Sequence, residues 1–489
     1  MSKPGIFATI PVADLERDYG SSSLNRTLGP VSLTAMGIGG IIGTGIFVLT
    51  GLAAAQHAGP AVVLSFVIAG LGCIFAGLCY AEFASMVPVA GSAYAYSYAT
   101  LGEFTAWFVG WNLVLEYLFA CATVAVGWSR YCVTLLTTLQ DRFPSLHLHF
   151  LPTSLSASPL KVAADGVSIV TTGGFLNLPA IFIALLVTWI CYIGIRQSAI
   201  VNTVVVIIKV SIVLAVIGFG AFYVNPANWH PFIPPNVGTF GAFGWSGVLR
   251  ASGIVFFSYI GFDAVSTAAQ ETKNPARNMP IGILGSLLIC TVLYILMSGV
   301  LTGLLPYLQL NDAAPVAVAL GAHPELAWLR IWVIIGALAG LTSVILVLML
   351  AQARIFLAMA HHGLLPPALG KVHPKYRTPS VATLITGFFA AAVGGLLPVD
   401  ILGELVSIGT LIAFVVVCIG VLVLRRTRPD LHRPFRVQAI WLVAPLGIGM
   451  CTLMIGFLPV STWVRLVVWT AIGVAIYFGY SYKHSRLRS

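Results

Sequence analysis

Charge is what this sequence has least of. Asp, Glu, Lys and Arg make up 8% of its 489 residues, against roughly 25% in a soluble globular chain. With 58% hydrophobic residues and a mean hydropathy of +0.97, this excludes a water-soluble multidomain enzyme. It excludes disorder too, which needs low hydrophobicity and high charge. Catalytic and nucleotide-binding signatures are also missing. There is no H-E-x-x-H and no G-x-S-x-G, and no G-x-x-x-x-G-K-[ST] loop for ATP-driven transport. His361 and His362 fall in a loop-like basic stretch. Eight cysteines (Cys73, Cys79, Cys121, Cys132, Cys191, Cys290, Cys418 and Cys451) all lie in apolar runs without metal-ligand spacing. They read as small buried hydrophobes, so neither a disulfide framework, a metal nor a cofactor is expected. The first 30 residues are polar and mixed in charge (Asp14, Glu16, Arg17, Asp18, Arg26). A basic start followed by an apolar segment of about 7–15 residues is absent there, so no cleavable signal peptide is expected.

Long apolar runs are abundant. A hydrocarbon core needs about 20 residues of helix, and twelve runs qualify as candidates: 31–55, 60–85, 104–137, 178–196, 198–223, 246–270, 279–306, 327–360, 380–398, 402–424, 437–458 and 463–482. If the N-terminus is cytoplasmic, the inside segments, from Lys3 to the tail with Lys483, Arg486 and Arg488, hold 17 of the 25 Lys and Arg. The outside segments hold Arg142 and Lys161, with Arg465 at a span end. Such a bias places both termini in the cytoplasm and favours an even span count. The chain reads as one all-α integral membrane domain in a plasma membrane.

Two spans are poor continuous helices. The first reads MGIGGIIGTGIF over 36–47, with Gly37, Gly39, Gly40, Gly43 and Gly45 inside nine residues. Each costs about 1 kcal/mol in a helix interior. Close helix packing explains Gly39 and Gly43; an unwound segment explains all five. The sixth reads SGIVFFSYIGFDAVST over 252–267, with Asp263 directly after an aromatic cluster. An Asp in mid-span is expensive unless it caps the start of a half-helix. A direct substrate role for Asp263 is the alternative. Paired interruptions at matching places in two halves point to an inverted-repeat transporter site. Unwinding frees N–H donors at one half-helix start and carbonyl acceptors at the other half's end. A carboxylate suits the first and an ammonium the second, so a free amino acid suits both.

The stretches GIGGIIGTGIF (37–47), CYAEFASMVPVAGSAYAYSYATLGE (79–103), GWNLVLEY (110–117) and VFFSYIGFDAVSTAAQET (255–272) resemble the amino acid–polyamine–organocation superfamily, in particular a bacterial form of its cationic amino acid transporter branch. The resemblance runs from about residue 24 to 482. It implies a five-plus-five inverted repeat over 31–223 and 246–424, then two further helices over 437–482, with cytoplasmic ends at 1–30 and 483–489. It implies alternating access around a site between spans 1, 3, 6, 8 and 10. Carried over by position, Ile41, Gly43, Thr44 and Gly45 form the span-1 side, the amides of the last three facing the substrate carboxylate. The carbonyls of Phe257, Ser258 and Ile260 receive the amine, and the Phe257 ring covers it as an outer gate. Leu341 in span 8 walls the distal end of the pocket.

Three buried charges remain. Asn112, Glu116 and Thr123 share one face of span 3 by their offsets of 4 and 7, and such a stripe faces the bundle interior. The resemblance puts Glu116 near the ligand's side chain; a packing role is the other reading. Glu82, near the inner end of span 2, reads as structural or as a gate contact. Lys209 lies halfway along span 5, with Asn202 on the same face. It must pair or lose its charge, and snorkelling needs a place nearer a span end. By resemblance it stands where sodium-coupled relatives bind their ion, touching span-1 carbonyls near Gly40 and Ile41 and the hydroxyls of Thr342 and Ser343. It is then the proton-coupling residue. Arg130, Arg250, Arg330 and Arg354, near span ends, read as anchors or gate ion pairs.

The sequence thus points to proton-coupled uptake of L-amino acids, with arginine, lysine and alanine as candidates. The partners are the substrate, a proton and membrane lipid, and no nucleic acid; an accessory membrane subunit stays undetermined. An exchanger or uniporter is the alternative, and a channel the weaker one.

Overall fold

The computed structural model describes residues 5–11, 28–86, 91–144, 152–162, 169–194, 199–312, 314–376 and 378–488. Lys3, Asp14, Glu16, Arg17, Asp18, Arg26, Arg196 and Arg377, motif residues 87–90 and the side chain of Asn202 lie outside the described residues.

The described chain is almost entirely helical. Its helices are α1 Pro30–Ile41, α2 Val62–Met86, α3 Ser92–Thr100, α4 Glu103–Arg142, α5 Leu178–Ile193, α6 Ala199–Gly220 and α7 Gly244–Val255. There follow α8 Pro275–Leu304, α9 Pro315–Gly321, α10 Ala327–His361, α11 Ser380–Leu396, α12 Val399–Thr427, α13 Ile440–Phe457 and α14 Val460–Ile476. A small antiparallel hairpin pairs Leu160–Val162 with Ile169–Thr171. Among the described residues nine helical stretches are long and apolar enough to cross a membrane, and three apolar helices, α1, α5 and α11, are shorter. In hydrocarbon the backbone must satisfy its own hydrogen bonds, which is why such a composition folds this way.

Helix α4 is the axis. Its most apolar window is 94% buried, whereas that of Val460–His484 is 22% buried. It packs against α10 and α12, while α8 packs against α1 and α2. Small residues set the spacing: a Cβ on Gly127 would meet Thr44, and one on Gly110 would meet Met359. The Cys121 thiol faces the Ile345 carbonyl at 3.8 Å.

Both described end segments meet on one face of the bundle. The amides of Glu103 and Phe104, which open α4, donate to the carbonyls of Ala8 (3.0 Å) and Ile6 (2.9 Å). The buried Glu103 carboxylate accepts from Tyr98 (3.1 Å), Tyr477 (2.9 Å), Ser485 and Arg488. His361 and His362 do not lie in an open loop. His361 is the last residue of α10, and His362 is buried with Nδ1 2.8 Å from the Tyr94 hydroxyl. The tail folds back over them, the Arg486 amide donating to the His362 carbonyl at 3.1 Å. Close by, Glu82 of α2 holds Arg425 of α12 through Nε (2.9 Å) and Nη2 (2.5 Å) and accepts from the Val437 amide (2.9 Å). Arg354 of α10 reaches Glu271 at 2.9 Å and Thr267 at 3.2 Å.

Candidate functional site

The glycine-rich run ends α1 at Ile41. Ile42 is extended (φ −73°, ψ 98°), and helical turns resume from Thr44. On the opposing chain, α7 tightens into a 3₁₀ turn over Phe256–Tyr259, Ile260 is extended (φ −62°, ψ 136°) and Gly261 takes φ +117°. A second 3₁₀ stretch runs over Asp263–Glu271. Only glycine adopts φ +117° without strain, and Gly261 also lies so close to the Gly40 backbone that a Cβ would come within 2.8 Å of it. The two irregular segments therefore rest directly on each other, Gly40 on Gly261 and Gly45 on Ser258.

Ile41, Gly43, Thr44, Gly45, Phe257, Ser258 and Ile260 are all buried here. Among the described residues the hydroxyls of Thr44 and Ser258 have no hydrogen-bond partner. The Phe257 carbonyl accepts from the Ile260 amide at 3.2 Å. One residue the sequence did not flag holds the junction. The Tyr294 hydroxyl of α8 lies 2.9 Å from the Ile41 carbonyl and 2.7 Å from the Ser258 carbonyl. A hydroxyl has one proton to donate, so it is shared between the two segments. Removing it leaves buried acceptors unsatisfied, at about 1–3 kcal/mol. Tyr294→Phe is expected to lower the melting temperature in detergent and to weaken substrate binding several-fold; unchanged binding and melting would show the clasp to be idle.

Asp263 is fully buried. It accepts from the Gly261 amide at 3.3 Å and from the Tyr117 hydroxyl of α4. The Gly261 amide and the Tyr117 hydroxyl thus reach one oxygen each; the 3₁₀ stretch has Phe262 at its N-cap and no side-chain cap hydrogen bond, so the expected cap of a half-helix start is not formed by Asp263. Glu116, one residue before Tyr117, is buried, and among the described residues neither of its oxygens is hydrogen-bonded. Its neighbour Thr410 donates instead to the Val406 carbonyl at 3.0 Å. The rest of the polar stripe turns inward on its own helix: Asn112 donates to Phe108 (2.8 Å) and Thr123 to Phe119 (2.7 Å). Glu116 is therefore the stripe's one buried charge still open to a partner.

On α10, Leu341 is buried. Val344 lies against Gly43 and Val347 against Gly40. These two contacts follow from the spacing of three that carries Leu341, Val344 and Val347 along one helix face; Leu341 alone is singled out by the sequence.

Lys209 is buried in α6. Its ammonium donates to the carbonyls of Gly39 (2.8 Å) and Ile42 (3.0 Å) and to the Ser343 hydroxyl (2.9 Å). The carbonyls are one residue to either side of the expected Gly40 and Ile41, because Gly40 is turned onto Gly261 and the Ile41 carbonyl is taken by Tyr294. Thr342 is not a contact. Consecutive helix residues point about 100° apart, and Thr342 back-bonds to Leu338 at 2.8 Å. The Lys209 stem runs over Gly340, where a Cβ would crowd it at 3.2 Å.

All eight cysteines are free. Among the described residues no group of three or more His, Cys, Asp or Glu could hold a metal ion.

The amino acid permease family matches this chain over residues 28–480. The chain is 45% identical over 487 residues to the branched-chain amino acid permease BcaP of Bacillus subtilis (strain 168), covering 99% of both chains. It is 44% identical over 482 residues to the methylthioribose transporter of the same organism, again over 99% of both. With the vacuolar cationic amino acid transporter 4 of Arabidopsis thaliana it shares 38% identity over 416 residues, 85% of this chain and 66% of that one.

Proposed function

Because the chain belongs to the amino acid permease family, and so is a multi-pass membrane transporter and not an enzyme, we propose that it carries L-amino acids by proton-coupled alternating access. One observation carries this reading: two interruptions of regular α-helix, at Ile42–Gly43 and at the 3₁₀ turn and extended Ile260–Gly261 that follow α7, meet in the protein core, Gly40 on Gly261 and Gly45 on Ser258. Backbone of that kind at membrane depth lines an enclosed ligand site. The Gly43, Thr44 and Gly45 amides take the carboxylate, the carbonyls of Phe257, Ser258 and Ile260 take the amine, and Phe257 covers the ligand. Counting α1 and the turns after Ile42 as one broken span, and Gly244–Glu271 as another, the helices form twelve spans, five plus five plus two. The meeting of both end segments at Glu103 supports an even count, and the distribution of Lys and Arg puts that face in the cytoplasm.

The unpartnered Glu116 supports a cationic side chain such as arginine or lysine; the apolar Leu341 and Val344 support small or branched neutral ones such as alanine. A charge of opposite sign about 4 Å from Glu116 gains roughly 4 kcal/mol before desolvation at an effective dielectric near 20. Glu116→Gln is expected to weaken arginine and lysine at least tenfold more than alanine. Equal losses would make Glu116 structural. Leu341→Ser is the companion variant, expected to admit longer side chains. The test is counterflow in proteoliposomes with labelled arginine and labelled alanine, competed by the twenty amino acids and by methylthioribose. Saturable exchange competed by amino acids supports the reading. Competition by methylthioribose alone, or non-saturable flux, overturns it.

A further inference from the structure

Between the start of α8 and the loop leading into α13 lies a groove of about 600 Å3. Its floor is Pro280, Ile281, Leu284 and Phe435, and Arg277 is its one charged lining residue. Arg277 is exposed, and its guanidinium enters no ion pair or hydrogen bond among the described residues. Lys273, four residues before Arg277 in the chain, is also exposed, whereas Arg436 lines a separate neighbouring cavity with Arg425 and Arg433.

The groove wall is preformed. Arg433 pins the loop from inside by donating to the carbonyls of Leu431 (2.7 Å) and Arg428 (2.9 Å). The Phe435 amide donates to Ser85 at 3.3 Å and the Val437 amide to Glu82 at 2.9 Å, both on α2. Arg425 and Arg433 are thereby spent on structure, while Arg277 is not.

From the groove an apolar stripe leads along the helix. Arg277, Ile281, Leu284, Leu288 and Val292 share one face of α8 by their offsets of 4, 7, 11 and 15. Ile281, Leu288 and Val292 are 43%, 60% and 49% exposed. The depth of the groove is marked by Trp441, 54% exposed at the start of α13 with the Arg426 guanidinium 5.0 Å above its ring. Tryptophan is enriched at the membrane–water interface. A cation at headgroup depth with an apolar track running from it into the bilayer has the shape and charge of a phospholipid.

We propose that this groove binds an anionic phospholipid of the cytoplasmic leaflet, its phosphate at Arg277 and one acyl chain along Ile281, Leu284 and Leu288. This rests on the orientation proposed above. Basic pockets between helices on that side suit anionic headgroups. The bound lipid joins α8, which packs on α1, to a loop tied to α2 through Glu82.

The test uses the full-length protein in proteoliposomes containing traces of photoreactive phosphatidylglycerol or photoreactive phosphatidylcholine, with the labelled peptides mapped by mass. The expected result is labelling of residues 276–288 and 434–436 by the phosphatidylglycerol probe, at least fivefold above the phosphatidylcholine probe. Unlabelled phosphatidylglycerol should compete and inorganic phosphate should not. Arg277→Gln and the groove-filling Leu284→Trp should each reduce labelling several-fold, and Arg277→Lys should keep most of it, which reports that the site is folded. Equal labelling by both probes, labelling elsewhere, competition by inorganic phosphate, or wild-type labelling in both disruptive variants overturns the proposal. Labelling requires no transport, and alanine counterflow in the same vesicles reads the transport function separately.

Discussion

Lys209→Gln is expected to abolish uphill uptake of amino acid driven by an imposed pH gradient in sodium-free proteoliposomes. The basis is a count of donors and acceptors. An ammonium carries three N–H donors and no acceptor, and Lys209 faces three acceptors, the Gly39 and Ile42 carbonyls and the Ser343 hydroxyl. With its own proton on the Gly340 carbonyl at 2.8 Å, Ser343 accepts from the ammonium. The charged form therefore satisfies every group. A neutral amine has two donors for three acceptors, so either it points its lone pair at one of them or Ser343 turns its proton off the Gly340 carbonyl and onto the amine. An unsatisfied buried acceptor costs about 1–3 kcal/mol, which corresponds to roughly 5–150-fold in the balance between two conformations. Gly39 and Ile42 flank the end of α1, so the proton sets how firmly the first half of that span is held against α6 and α10. Under the proposed coupling, each protonation state would favour its own access conformation, and substrate and proton would be linked through that preference.

Glutamine removes the titrating group. Lys209→Arg keeps the charge on a group that does not deprotonate in proteins, so it should hold one conformation and also stop proton-driven uptake. Counterflow measured in the same vesicles shows whether each variant is folded. If Lys209→Gln concentrates substrate to the wild-type level, the coupling site lies elsewhere and Glu116 is the next residue to replace.

Much of this arrangement is legible before any coordinates. Composition alone selects a membrane protein, because 58% hydrophobic and 8% charged residues leave no soluble solution. The glycine run at 37–45 and the Gly261–Asp263 pair mark the two irregular segments, because glycine density and a mid-span acid are each costly without a purpose. Lys209 declares itself by its depth. What stays hidden is every contact that depends on rotation about a helix axis or on the register between distant helices. Tyr294 is one tyrosine among sixteen, and nothing local says that its hydroxyl reaches two carbonyls more than 30 residues away. The displacement of the Lys209 contacts to Gly39 and Ile42 follows from where the neighbouring carbonyls are already engaged, a fact of three helices at once. His362 reads as a loop residue from its basic surroundings, and its burial comes from the tail folding over it from more than 100 residues downstream.

The second large effect is expected at Gly45, and its size relative to Gly43 tests the way the two irregular segments meet. A Cβ at Gly45 would fall 2.4 Å from the Ser258 Cα and 2.3 Å from its Oγ. Real carbon contacts lie at about 3.5–4.0 Å, so span 1 would have to move off span 6 by roughly an ångström. The obstacle is backbone, which has no rotamer to escape into. A Cβ at Gly43 would instead meet Val344 Cγ2 at 3.1 Å, a side-chain methyl that can shift by a few tenths of an ångström. Gly45→Ala should therefore abolish saturable binding of every amino acid, a loss of at least about 100-fold, within reach of the 1–3 kcal/mol of overpacking strain once the carboxylate contacts at the same amides are lost as well. Gly43→Ala should cost less than about tenfold, while Gly43→Val, whose branched side chain blocks approach to the amides, should approach the Gly45→Ala result. Binding is read by substrate-induced thermal shift on the purified variants, and the melting temperature without substrate reports the fold. A second variant separates the two atoms in the way. Ser258→Gly removes the Oγ and Cβ but leaves the Cα, so in the Gly45→Ala background it should restore binding only in part. Full restoration would mean that side-chain crowding sets the contact, and equal losses at Gly43 and Gly45 would mean that the close backbone approach of the two segments is not what forms the site.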